Sequence, residues 1–191
     1  MSYFDADDHI YDRELISFSI GSNLGDRVGY LQLAVDRLDE SDLLEVQAVS
    51  AIYETDPVGG PEQDDFFNAV VIAKSERHLT IAEFLDLIRS IEQDANRVRM
   101  VRNGPRTLDV DVLAVGDRVS DDPDLLLPHP RALERAFVIV PWAEVSPKLR
   151  VSGGDLMNDP KPLAEQAADL SDEDQASVRK REDLGPLRFT N

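Results

Sequence analysis

Apolar residues fall along this chain in two rhythms. Ile16-Ser17-Phe18-Ser19-Ile20 alternates apolar with small polar residues, the period of a half-buried strand. After the glycine-rich turn Gly21-Ser22-Asn23-Leu24-Gly25-Asp26, Val28, Leu31, Val35 and Leu38 recur at helical spacing. A second strand is expected over residues 44–53, and a third over Phe66 to Ala73. Between them, residues 54–63 are too rich in Pro and Gly for regular structure, so the two strands can pair antiparallel across a loop. Thr80 opens a second helix. Thr80 and Glu83 have capping-box spacing, Leu79 and Phe84 sit at hydrophobic-staple positions, and Ile81, Phe84, Leu85, Ile88 and Ile91 form one apolar face ending near Ala95.

The stretch from Gly104 to Val115 begins as a turn and ends as a strand bounded by Gly116-Asp117. Alternation puts Thr107, Asp109 and Asp111 on one face, continued by Leu113 and Val115, and Leu108, Val110 and Val112 on the other. Two carboxylates one strand period apart lie roughly 6–7 Å apart at Cα, close enough for one or two metal ions to bridge them. Left bare they repel each other, and Asp is a poor strand former. A face that runs from polar to apolar suits a cleft floor better than a solvated surface. Arg106, just upstream, adds a guanidinium able to clamp phosphoryl oxygens.

Beyond that strand, Val119 starts a short return strand, and Leu125 to Pro130 is punctuated by proline. Arg131 to Phe137 reads as a short helix or turn, and Phe137 to Trp142 fits strand and helix equally well. Leu163, Ala167 and Leu170 mark a small terminal helix. Residues 1–14 read as an acidic, mobile tail and residues 171–191 as a charged, flexible extension, both dispensable for chemistry; the domain itself spans 15–170. The order strand–helix–strand–strand–helix–strand predicts an α+β, ferredoxin-like split βαβ sandwich, a mostly antiparallel sheet with helices covering one face.

Charge sharpens this picture. The 191 residues carry a formal net charge of −18, which argues against nucleic acid or an anionic membrane as partner. Against that background Arg97, Arg99, Arg102 and Arg106 fall in ten residues without an acid, which points to a small polyanion such as a nucleotide. There is no cysteine, which excludes a disulfide framework or a thiolate zinc site and fits a reducing compartment. No apolar run approaches a membrane span and no secretory signal opens the chain, so a cytoplasmic protein is expected. The glycine turn lacks the Lys-Ser/Thr of a P-loop and reads first as a tight strand-to-helix connection.

Several of these segments recur together in one order: Gly21 to Asp26, Tyr53-Glu54-Thr55 with Gln63 to Asn68, Gly104 to Asp111, and Leu127-Pro128-His129-Pro130 with Arg135-Ala136-Phe137. In this the chain resembles the hydroxymethyldihydropterin pyrophosphokinases of the folate pathway, over roughly residues 15–170. The resemblance implies an enzyme that transfers pyrophosphate from ATP to the hydroxymethyl group of 6-hydroxymethyl-7,8-dihydropterin and releases AMP. It implies two Mg²⁺ ions held by Asp109 and Asp111, with Arg97 and Arg106 as further catalytic residues. For ATP it implies Glu92, Arg97, Arg106, Val112, His129 and Arg135, and for the pterin Thr55, Asp56, Val58, Gly59, Phe66, Asn68 and Phe137. By itself His129 between two prolines fits packing as well as binding, and each Phe fits a core. A flat heterocycle wants two aromatic faces and polar groups at its edge, which Phe66, Phe137 and Asn68 can supply.

This chain departs from the family pattern at Asn103, where relatives often carry an aromatic residue, and at Phe66, which lacks the hydroxyl of a Tyr. The loop from Arg97 to Asn103 corresponds to a closing lid in the family and is expected to be ordered by ligands. A monomer acting on small molecules is expected. Two other readings are another Mg-dependent phospho- or nucleotidyltransferase of similar fold, and a ferredoxin-like binding module without catalysis. The second sits poorly with an intact set of Asp109, Asp111, Arg106, His129 and Arg135.

Overall fold

The computed structural model describes residues 14–75, 77–96, 104–151 and 160–190. Two split βαβ units interleave in it. Strand β1 (Glu14–Ser22) leads through helix α1 (Arg27–Asp39) to β2 (Glu45–Val49) and β3 (Tyr53–Thr55); β4 (Phe66–Ser75) leads through α2 (Ile81–Asp94) to β5 (Asp109–Val115). β1 pairs antiparallel with both β4 and β5, and β2 and β3 both pair with β4. Each βαβ unit therefore straddles a strand of the other, the antiparallel α+β arrangement expected. The expected second strand is broken in two. Ser50 turns its hydroxyl to accept from Val70 N, and Ala51 N donates to Glu144 Oε2, so the backbone leaves the ladder between β2 and β3.

The strand period sorts the core. Ile16, Phe18 and Ile20 of β1 with Phe67, Ala69, Val71 and Ala73 of β4 face α1 and α2, meeting Leu31, Val35, Leu38, Phe84 and Ile91. Thr80 caps α2 as expected: its Oγ accepts from Glu83 N, and the Glu83 carboxylate accepts from Thr80 N. The hydrogen-bonded Arg77 guanidinium, and then those bonds from Thr80, hold the Glu83 carboxyl down at about 2, below the usual carboxylate range.

The opposite sheet face is covered too, where helices on one face alone were expected. Helix α3 (Ala136–Val145) resolves the ambiguous apolar run as helix, and its Val138 and Trp142 pack on Val70, Ile72, Leu113 and Ala114. α4 (Leu163–Ala168) lies beside it. A run such as 137–142, apolar all round, belongs to a helix buried between neighbours, which hydrophobic spacing cannot separate from a strand. A hairpin of β6 (Ser120–Asp122) and β7 (Leu125–Leu127) returns the chain from β5 towards α3.

Two further differences have local causes. β5 bulges opposite Ser17/Phe18, so Leu113 and Ala114 both face α3 while Val115 turns to the α1/α2 core; the expectation that Val115 continues the Asp109/Asp111 face fails there. The expected flexible C-terminal extension is instead built into the fold. It forms α5 (Asp172–Ala176) and β8 (Val178–Lys180), which pairs with β3 at the sheet edge. Leu187 is buried in the main core, and Arg188 N and Thr190 N donate to Gln32 and Asp39 of α1. Its polar composition hid a few anchoring apolar residues. Residues 1–13 of the expected tail and the whole Arg97–Asn103 loop lie outside the described residues.

Candidate active site

The face of the sheet that carries α3 is covered only at one end. At the covered end, Trp142 of α3 donates its indole N–H to Ser17 Oγ at 3.0 Å. Further along β1, Ser19 and Gly21 continue the same face into an open cleft. Ser19 stands opposite Asp111, and Gly21 opposite both Asp109 and Asn68, so one row of the sheet reads Asp109, Gly21, Asn68, Tyr53. The Asp-x-Asp pair is thus on the cleft floor where its alternation put it.

Gly21 is what allows the row to close. A Cβ there would come within 2.5 Å of Asn68 Oδ1. With hydrogen in its place, the buried Asn68 carboxamide donates from Nδ2 to Thr55 Oγ1 at 2.7 Å. Phe66 lines the cleft one period away on β4, and Phe137, from the first turn of α3, also lines it. Each ring has a guanidinium beside it: Arg106 is 5.4 Å from the Phe66 centroid and Arg135 5.5 Å from that of Phe137.

Three loops converge on the cleft and one side chain joins them. Asn23, buried in the glycine turn, donates from Nδ2 to Gln63 Oε1 and Asp64 O, both at 3.0 Å, and accepts at Oδ1 from Arg106 N at 2.9 Å. The turn between β1 and α1 therefore fixes the loop after β3 and the approach to β5 at once. Its side chains do this, more than its glycines.

The charge in the cleft is divided. Arg106 pairs with the Asp109 carboxylate, while Arg131 and Arg135 line the other side. Burial, and then Arg131, depress the Arg135 pKa, with Asp111 and Asp109 acting in the opposite sense. Its Nε is buried without a hydrogen-bond partner among the described residues. Burial, and next the Arg135 charge, push the His129 pKa below its ordinary value, and His129 Nδ1 accepts from Arg131 N at 3.2 Å. Crowded guanidinium groups around an unpartnered donor form a setting that an anion stabilises.

Of the residues singled out in the sequence, the cleft brings together Thr55, Asp56, Val58, Phe66, Asn68, Arg106, Asp109, Asp111, Arg135 and Phe137. Others lie off its wall. Glu92 is buried on α2, accepting from Val110 N, and Val112 is in the core. His129 is outside the lining, with its backbone N–H donating to Leu113 O at 2.8 Å. Gly59 turns the loop after Val58 at φ 72°, and Arg97 lies outside the described residues. The cleft adds Ser19, Gly21, Gln63 and Arg131. Ser19 was visible as the polar phase of β1; Gln63 and Arg131 reach the cleft only through loop geometry.

Two carboxylates in line make an incomplete metal cage, and among the described residues no group of three or more His, Asp or Glu side chains could hold an ion alone. That donor set fits Mg²⁺, which keeps water and substrate phosphate as ligands beside one or two carboxylates. Carboxylates, guanidinium groups, two aromatic rings and a carboxamide gathered in one cleft of a ferredoxin-like α+β fold are the chemistry of an enzyme for a nucleotide polyphosphate and a flat heterocycle.

Comparison with known proteins agrees. Residues 17–147 match the family model of 7,8-dihydro-6-hydroxymethylpterin-pyrophosphokinase, and the chain belongs to that family. It is 44% identical over 127 residues to the 2-amino-4-hydroxy-6-hydroxymethyldihydropteridine pyrophosphokinase of Bacillus subtilis, covering 66% of this chain and 75% of that protein. The enzyme of the same name from Mycobacterium tuberculosis is 39% identical over 175 residues, 86% of this chain and 88% of its own. Among solved structures, a Plasmodium falciparum HPPK-DHPS shares the fold at TM-score 0.64 and 13% identity, over 88% of this chain. The chain spans only 46% of that longer protein. Among the described residues, no helix is long and apolar enough to cross a membrane.

Proposed function

We infer that this protein transfers the pyrophosphoryl group of ATP to the hydroxymethyl oxygen of 6-hydroxymethyl-7,8-dihydropterin, giving the pterin diphosphate and AMP for tetrahydrofolate synthesis. The observation that carries the reading is the shared floor: Asp109 and Asp111 lie in the same cleft as the Asn68–Thr55 pair and the rings of Phe66 and Phe137. Nucleophile and electrophile can therefore be held in line across one sheet face, which supplies much of the rate in phosphoryl transfer.

The roles follow the chemistry of each end. Asp109 and Asp111 would hold Mg²⁺, two ions on the family pattern, and the metal when bound supplies charge neutralisation at the triphosphate. Arg106, Arg131 and Arg135 offer guanidinium groups to phosphate oxygens. Phe66 and Phe137 sandwich the pterin, Asn68 reads its edge, and Thr55 holds the Asn68 carboxamide in one orientation. Arg97 is assigned to the triphosphate by family pattern alone. The protein is assigned as a monomer by family pattern alone, and dependence on ATP supports a cytoplasmic setting.

Product analysis with Mg-ATP and the hydroxymethyl pterin tests this. AMP and pterin diphosphate in equal amounts are expected, each requiring both substrates. ADP as the product, or ATP turnover independent of pterin, contradicts the reading and favours another phosphotransferase.

A further inference from the structure

We propose that the C-terminal strand is a working part of the pterin wall, with Arg179 as a positioning residue that staples both ends of the loop covering residues 56–65. This inference rests on the pyrophosphokinase reading. The wall in question starts at Thr55, leaves the sheet at Asp56, passes Val58 and Gln63 along the cleft, and re-enters at Phe66. A loop of this length and composition, with Pro57, Gly59, Gly60 and Pro61, has little regular structure to hold its shape. Its inner side is held by Asn23 through Gln63 and Asp64.

Its outer side is held from β8. The Arg179 guanidinium donates through Nη1 to Asp56 Oδ1 and through Nη2 to Asp65 Oδ2, both at 2.9 Å. One planar fork thus spans the two points where the loop leaves and rejoins the sheet. Neighbouring residues hold the fork in place. Val178 stands opposite Thr55 and packs in a cluster with Tyr53, Ala136 and Phe137. Lys180 bonds Glu144, and Arg181 bonds Glu54, which also meets Arg27. The segment therefore touches the wall twice, at the loop ends through Arg179 and behind Phe137 through Val178.

The magnitude expected is modest. The Arg179 side chain is 42% exposed, and exposed pairs are individually weak. Ordering two loop ends at once with one preorganised group has more effect than either pair alone, since a Lys at the position reaches only one carboxylate at a time. The bonds of Arg179 go to Asp56 and Asp65 at the pterin wall, so the nucleotide end of the cleft is expected to be indifferent to it.

Arg179→Ala and Arg179→Lys test the staple through steady-state kinetics for each substrate and amide exchange of residues 56–65. Arg179→Ala is expected to raise the pterin KM about three- to tenfold, leave kcat and the ATP KM within twofold, and speed exchange in the loop. Arg179→Lys should recover part of the pterin KM. With an active wild type, an unchanged pterin KM overturns the proposal whatever the exchange shows. So does a parallel loss in both substrates, which marks a general structural role. A wild type that releases no AMP refutes the activity instead. The staple is then judged on exchange alone, and unchanged protection of 56–65 in Arg179→Ala overturns it.

Discussion

The two ends of one sheet face make different use of the same strands. At the covered end Ser17, Ile72, Leu113 and Ala114 meet α3, and the polar atom that lies there, Ser17 Oγ, accepts from the fully buried Trp142. At the open end Ser19, Gly21, Asp109, Asp111 and Asn68 line the cleft. The change happens within a single strand period on β1 and on β5. Burial sets the requirement at the first end, because a buried polar group needs a partner and a core needs volume. At the second, the same pleat spaces charged and hydrogen-bonding groups for a ligand at a cost to the resting fold.

That contrast predicts a division between activity and stability. The largest effect is expected at the open end: Asp109→Ala or Asp111→Ala should lower AMP release by roughly 10²–10⁴, the loss of several kcal/mol of charge stabilisation. Thermal melts of the same variants should change little. A variant strongly destabilised yet normal in turnover when folded would remove the metal assignment.

The covered end should behave in reverse. Trp142→Ala is expected to cost about 3–5 kcal/mol of unfolding free energy in urea titrations. Below the unfolding transition its KM values should stay near those of the parent. A loss of turnover out of proportion to the folded fraction would show that the two ends are coupled.

A smaller effect is expected at the boundary. Gly21→Ala places a methyl group against the Asn68 carboxamide and forces it off Thr55. The pterin KM should rise roughly tenfold, about 1.4 kcal/mol, with the ATP KM nearly unchanged. Equal affinity for pterin in this variant would mean that the Asn68 orientation is not what reads the heterocycle.

Much of this was legible in the sequence, and the reasons are local. Asp109 and Asp111 sit on the cleft floor because alternation in a strand is strict over short runs. The α2 cap at Thr80 and Glu83 was readable because a capping box lies within four residues. What escaped depends on distant partners. The bulge at Leu113 reflects pairing with β1, and the break at Ser50 reflects Val70 and Glu144. β8 joins the sheet on the strength of three residues and ion pairs to Glu54, Asp56 and Asp65, none of which composition reveals. Arg131 and Gln63 belong to the cleft only after loops 20 or more residues from the Asp pair fold over it.

The most direct test of the central claim is a crystal structure with Mg²⁺, a non-hydrolysable ATP analogue and the hydroxymethyl pterin. The account predicts metal at about 2.1 Å from carboxylate oxygens of both Asp109 and Asp111, the triphosphate against Arg106 and Arg135, and the pterin between Phe66 and Phe137 with its edge on Asn68. A pterin bound elsewhere, or a metal that touches neither carboxylate, would contradict it.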